Sequence, residues 1–270
     1  MTDAYTGDAG AGQRIKQLRA ELADAHVVSY FSTPDQLASR TAAAIFQIRG
    51  FRPEREVSEA WGRRPAAERA RPRADYPKLW SPGSVLRVCF IQENPAFART
   101  VRRYLPLWGV YANVQFEFST AREAEVRVAF AEGEGNWAYI GADCLAIPLD
   151  QPTMNFSFLD RAEINVLHEF GHVLGLQHEH NHPHGIQWNK EAVYKSLVGP
   201  PNNWDKAAVD ANMFMTWNDA FFPIQKPFDP HSIMAYPMPN EWTSSVTDFG
   251  YRESLSPTDK DFIGRLYPFD

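Results

Sequence analysis

A chain of 270 residues with 44% apolar and 22% charged side chains has globular composition and is long enough for one medium domain with an appendage. Its net charge of −6 gives no electrostatic footprint for nucleic acid, and its longest apolar runs fall far short of a bilayer span, so neither partner is expected. Cys89 and Cys144 are too few for a disulfide framework and are expected as buried free thiols; the start Met1-Thr2-Asp3-Ala4 lacks the basic stretch and apolar run of a secretory signal, which predicts cytoplasmic residence.

Residues 1–50 read as a small helix–strand–helix appendage. Ile15, Leu18, Leu22 and Ala25 recur at helical spacing among charged residues, and His26 to Phe31 is a short strand pattern. Thr33-Pro34-Asp35-Gln36 then opens a second helix that stops at Gly50. So few elements seldom bury enough surface to stand alone, so this part is expected to pack on the remainder or to bind a protein partner. Residues 51–75 form a linker: between Phe51 and Arg73 seven arginines face four glutamates, interrupted by Pro53, Pro65 and Pro72.

A third region, residues 76–270, carries the chemistry. Leu86 to Ile91 alternates as a strand should, Pro95 to Trp108 follows as one helix, and Val114–Phe118 and Val126–Phe130 alternate again. Strand, helix, strand, strand predicts an α+β domain built on a twisted mixed sheet covered by helices. Asp160-Arg161-Ala162-Glu163 reads as a capping box for the next helix, which turns Ile164, Leu167, Gly171 and Leu174 to the sheet.

On the neighbouring stripe of that helix lie His168 and His172. Four residues apart, their imidazoles project from one face and can reach one ion. Glu169 is placed beside the ion to take a proton from a water that the ion activates. Gly175 allows a sharp left-handed turn that ends the helix and returns His178 as a third nitrogen. Three protein ligands leave an open position, the arrangement of a catalytic zinc. A bare His-Glu-x-x-His is weak by itself, being also the pattern of an ordinary helix with two surface histidines; the matched glycine and third histidine lift this one above chance. The further His180, His182 and His184 are read as loop residues.

Trp188 to Val198 and Asn203 to Phe214 are predicted as two more helices, and Ser256-Pro257-Thr258-Asp259 caps a final one that runs to Leu266. Between them stands Ser232-Ile233-Met234-Ala235-Tyr236.

The segment His168 to His178 resembles the long zinc signature of the metzincin metallopeptidases, and Ser232 to Tyr236 resembles their Met-turn in the version with a tyrosine two residues after the methionine. Together with Glu179 directly after the third histidine, the resemblance is astacin-like. It implies a zincin fold: a five-stranded mixed sheet, an active-site helix and a mostly helical C-terminal subdomain. It implies Met234 as a floor under the three histidines, and Tyr236 as a switchable fifth zinc ligand that also stabilises the oxyanion. Trp137 to Gly141 is implied as the cleft-side edge strand, Pro237 to Tyr251 as a wall of the substrate pocket, and Glu179 as a buried carboxylate organising the N-terminal part of a processed domain. The function implied is a zinc endopeptidase acting on protein or peptide, with one catalytic zinc. Two other readings stay open: a zinc domain kept latent or tethered by residues 1–50, and a zinc hydrolase of a non-peptide substrate.

Overall fold

Period-two alternation becomes strand where it is expected. β1 (Ser84–Phe90) pairs in parallel with β2 (Val114–Phe118), Ser84 opposite Val114 and Val88 opposite Phe118, and on its other side with β3 (Val126–Ala129). The structure, a computed structural model, describes residues 73, 76, 78–92, 94–198, 204–217, 222, 224–244, 249, 252 and 254–269, all within the unit Ala67–Asp270. The appendage expected over residues 1–50 and, apart from Arg73, the linker over 51–75 lie outside the described residues.

β5 (Met154–Asn155) continues the sheet in parallel beside β3, and β4 (Trp137–Ala138) closes it antiparallel to β5 at the edge. The result is a five-stranded mixed sheet of order β2-β1-β3-β5-β4. Alternation in β3 does not mark a wet face, for all four of its residues are buried. Arg127 is tolerated there because its guanidinium donates to the carbonyls of Gln151 (2.8 Å), Ala124 (2.9 Å), Ile147 (3.1 Å) and Pro148 (3.2 Å).

The single helix predicted over Pro95 to Trp108 is two, α1 (Pro95–Tyr104) and α2 (Pro106–Tyr111). Pro106 has no amide hydrogen to continue the ladder. α1 starts where the Asn94 side chain accepts from the Phe97 amide at 3.2 Å, and Val101, Leu105 and Trp108 are wholly buried.

Next to the sheet runs α3 (Ala162–Val173), with α1 packed on it. The capping box expected at Asp160 does not form. The N-cap is Arg161, one residue later, which puts Asp160 outside the cap, 3.4 Å from Asn165 Nδ2. Leu167, Gly171 and Leu174 are buried as predicted, but so is every residue from Val166 to Val173: Phe116 of β2 lies edge-on to Phe170, and Met234 closes on Gly171 from beyond the helix. Burying each such Leu or Phe contributes about 1.5–3 kcal/mol, which offsets the cost of taking two histidines and a glutamate out of water with them.

Beyond α3 the chain is mostly helical. α4 (Lys190–Leu197) starts two residues later than predicted, capped by Asn189, and α5 (Lys206–Val209), capped by Asp205, runs into a π-type segment, Asp210–Phe214. Val193, Leu197, Val209 and Met213 form a second apolar cluster there. Met238 and Phe249, expected on a pocket wall, have their side chains inside this cluster, with Trp242 packed against it. α6 (Pro257–Leu266) carries the predicted cap, and it takes the form of a capping box, Ser256 with Asp259. Cys89 and Cys144 are buried free thiols. Among the described residues no helix is long and apolar enough to cross a membrane.

Candidate active site

Spacing on α3 puts the rings of His168 and His172 one above the other, centroids 4.9 Å apart. Each ring is oriented by a backbone carbonyl: His168 Nδ1 lies 2.8 Å from Ile233 O and His172 Nδ1 2.8 Å from Leu176 O. A carbonyl only accepts, so Nδ1 carries the hydrogen and Nε2 presents its lone pair on both rings. Burial lowers both basicities, that of His172 to about 3, and keeps the rings neutral at physiological pH.

The third histidine arrives through the helix terminus. Gly175 stands at φ 89°, its amide donates to His172 O at 2.8 Å, and the Leu176 amide reaches back to Gly171 O at 2.9 Å. This pair of bonds is a Schellman motif, and its left-handed residue is the glycine that the signature requires. A Cβ at Gly175 would lie 2.5 Å from Leu79 Cδ2, so space and φ demand the same residue. Three aromatic residues fix the same helix. Trp108 Nε1 donates to Leu167 O (3.0 Å), Trp80 Nε1 to Val173 O (2.7 Å) and the Tyr267 hydroxyl to Leu174 O (2.7 Å). The last two take carbonyls that a helix end leaves without partners.

His178 then lies with its Nε2 3.1 Å from that of His172, and one nitrogen from each of His168, His172 and His178 falls within 4.8 Å of the others. A tetrahedral zinc with bonds of 2.0–2.1 Å sets its nitrogens about 3.3 Å apart. Three neutral imidazoles at this spacing, two of them presenting the Nε2 lone pair, suit that ion. Glu169 supports the same fit: it is 5% exposed, and its Oε2 is buried without a hydrogen-bond partner. Burial alone pushes this carboxyl up to about 8. A dication on the histidines opposes that shift by favouring the carboxylate.

Met234 lies under the helix, 2% exposed, so close that a Cβ on Gly171 would meet its Sδ at 2.5 Å. Its turn is held by Asp259, which accepts from Ser232 Oγ and from the Ile233 amide, each at 2.7 Å. Tyr236 leaves the turn with its ring 4.5 Å from His178, 4.9 Å from His180 and 5.7 Å from His168, centroid to centroid, and stays 40% exposed. Burial of the hydroxyl end, and then the Glu169 charge, raise its phenol above the ordinary range.

The structure thus brings together all five predicted site residues, His168, Glu169, His172, His178 and Tyr236. The other histidines lie in the connecting segment, as read, and stand outside the three-histidine cluster, but two of them are buried. His180 is 1% exposed, with Nε2 3.0 Å from Asn212 O, and burial lowers it to about 4. His182 is buried as well, with Nε2 3.1 Å from Lys226 O and Nδ1 accepting from the His184 amide. Glu179 is wholly buried, as expected, and its partners are internal: Lys226 Nζ, in an ion pair, and the Asp229 amide at 2.7 Å. Its pKa is raised by burial, against the pull of Lys226. Sequence reading missed Lys226, Asp229 and the second role of Asp259, since a partner 26 to 50 residues away has no local pattern.

No family model and no curated protein matches this sequence. Among solved structures, that of myroilysin is similar, with 36% identity and a TM-score of 0.68 over 72% of this chain and 97% of that one. A crystal structure of myroilysin gives 35% identity and a TM-score of 0.55 over 75% and 90%. The chain belongs to the astacin-type zinc metallopeptidases. High choriolytic enzyme 1, a hatching-enzyme zinc protease from Oryzias latipes (medaka fish), shares the fold at 17% identity and a TM-score of 0.52, over 74% of this chain and all of that one. The astacin-type fold accounts for the mixed sheet and the metal-bearing helix, and the three-histidine cluster is compatible with the one catalytic zinc of such a peptidase.

Proposed function

We propose that His168, His172 and His178 hold the zinc through Nε2, and that Glu169 and Tyr236 carry the proton and charge movements of peptide-bond hydrolysis. The protein is a zinc-dependent endopeptidase whose substrates are proteins or peptides. One observation carries the residue assignment: three neutral imidazoles, two of them oriented by backbone carbonyls, converge beside a buried carboxylate whose Oε2 lacks a partner. When bound, zinc supplies Lewis acidity toward a water and toward the substrate carbonyl.

Glu169 accepts a proton from the attacking water at its carboxylate and returns it to the nitrogen of the leaving amine. Tyr236 keeps its proton because its pKa is raised, so its hydroxyl can donate to the oxyanion as charge develops. Met234, as the residue of a Met-turn, gives the histidines an apolar floor. β4, the antiparallel edge strand, offers main-chain groups to which an extended peptide can add.

The test is a mixed set of cellular proteins incubated with the purified chain and read by mass spectrometry for new N-termini, with and without a chelator. Wild type is expected to produce them only with metal. Glu169→Gln is expected to retain zinc and to lose about 10²- to 10⁴-fold in rate. Undiminished cleavage by metal-loaded Glu169→Gln would overturn the assignment.

A further inference from the structure

We propose that Lys226 is a positioning residue of the zinc site, acting through Glu179. Glu179 directly follows His178 and is wholly buried, and the Lys226 side chain that meets it is only 9% exposed. The backbone amide of Glu179 donates to Met234 O at 2.9 Å, while its carboxylate accepts from the Asp229 amide. Glu179 therefore joins the segment after the third histidine to the stretch at 226–229 through its carboxylate and to the Met234 turn through its backbone amide.

From Asp229 the contacts lead back to the first histidine. Asp229 Oδ2 accepts from Ser256 Oγ at 2.6 Å, and Ser256 Oγ accepts from the Asp259 amide at 2.9 Å. Asp259 holds Ser232 Oγ and the Ile233 amide, and Ile233 O takes the hydrogen of His168 Nδ1. Starting at the residue after His178, the network ends on the ring of His168, and so ties the segment of one proposed ligand to the orientation of another. Three of its members are buried carboxylates, Glu179, Asp229 and Asp259, and the Lys226 ammonium faces the one next to the metal ligands. Two further contacts fix Lys226: its carbonyl accepts from His182 Nε2 at 3.1 Å, and its ammonium lies 5.6 Å from the Phe262 ring centre.

Removing one member of a buried ion pair leaves the other without compensation, which is far more disruptive than losing both. Without the Lys226 ammonium, the Glu179 carboxylate loses one of its two internal partners and moves toward water, which loosens its hold on the Asp229 amide and, through Asp229, Ser256 and Asp259, on the turn at Ser232–Met234. Lys226 and Glu179 both lie within the unit Ala67–Asp270.

The experiment compares wild type, K226M, K226R, E179Q and the double variant E179Q/K226M. It measures zinc affinity by chelator competition, the visible absorption of the cobalt-substituted proteins, and kcat apart from KM. K226M is expected to bind zinc 10- to 100-fold more weakly, with a shifted cobalt band and a lower kcat at little-changed KM. K226R is expected to stay near wild type, and the double variant to recover most of the affinity. A folded K226M with native zinc affinity and a native cobalt band, less stable but otherwise unchanged, refutes the proposal. Should K226M fail to fold, E179Q decides: weakened zinc and a shifted band support it, native values refute it. The proposal rests on zinc at the three histidines; wild type that takes up no stoichiometric zinc refutes that reading instead.

Discussion

Tyr236 touches three histidine rings at once, two of them proposed zinc ligands and one, His180, a buried neighbour anchored to Asn212 O. Its role as oxyanion donor predicts that Tyr236→Phe keeps zinc affinity and lowers kcat on the order of 10²-fold, measured by steady-state kinetics beside metal competition. Glu169 allows a sharper test at the level of protons. In the metal-free protein, burial holds this carboxyl to about 8, whereas His172 sits near 3 and is already neutral at pH 7. Zinc favours the carboxylate, so binding at pH 7 should release about one proton, drawn from Glu169 and not from the histidines. The sign follows: affinity rises with pH while the metal-free carboxyl is protonated and levels off above about 8. Calorimetry in buffers of different ionisation enthalpy reads the proton count. Release that persists unchanged in Glu169→Gln would assign the proton elsewhere.

α3 and the turn that ends it show why some elements were legible in the sequence and others were not. His168, His172 and Gly175 are related by covalent spacing along one helix, so their geometry follows from 3.6 residues per turn and one left-handed residue. Gly175→Ala tests that reasoning. The new Cβ must adopt φ 89° and meets Leu79, so a loss of more than about 1 kcal/mol is expected, with weaker zinc because His178 is displaced. Thermal unfolding and metal competition measure the two effects, and a stable variant with native zinc affinity would show that the turn is adaptable. Pro106 was a visible break that the apolar stripe of α1 and α2 concealed. The cap of α3 failed by one residue, because Asp160 and Arg161 can each precede a helix and only tertiary packing chooses between them. The carbonyls of Ile233 and Leu176, which fix both histidine tautomers, carry no side-chain signature at all.

At the scale of the molecule, zinc on the three histidines would join α3, packed against the sheet, to the segment that leads into the second apolar cluster. A ligand at 100 times its dissociation constant stabilises a fold by about 2.7 kcal/mol. For a domain of this size that predicts a fall of roughly 5–10 °C in Tm on chelation, reversed by zinc. Scanning calorimetry with and without chelator checks it, and an unchanged Tm would mean that the ligands are held rigid without the ion. Fold class and sheet were readable because strand alternation and the two motifs agree. The burial of His180, His182 and Lys226 was not, because it depends on which distant segments close over them. The indoles of Trp80 and Trp108 donate to carbonyls of the metal helix, at Val173 and Leu167. The polypeptide therefore contains its own optical gauge: filling or emptying the site should alter near-ultraviolet emission from these two rings, and replacing each with phenylalanine would show which one reports it.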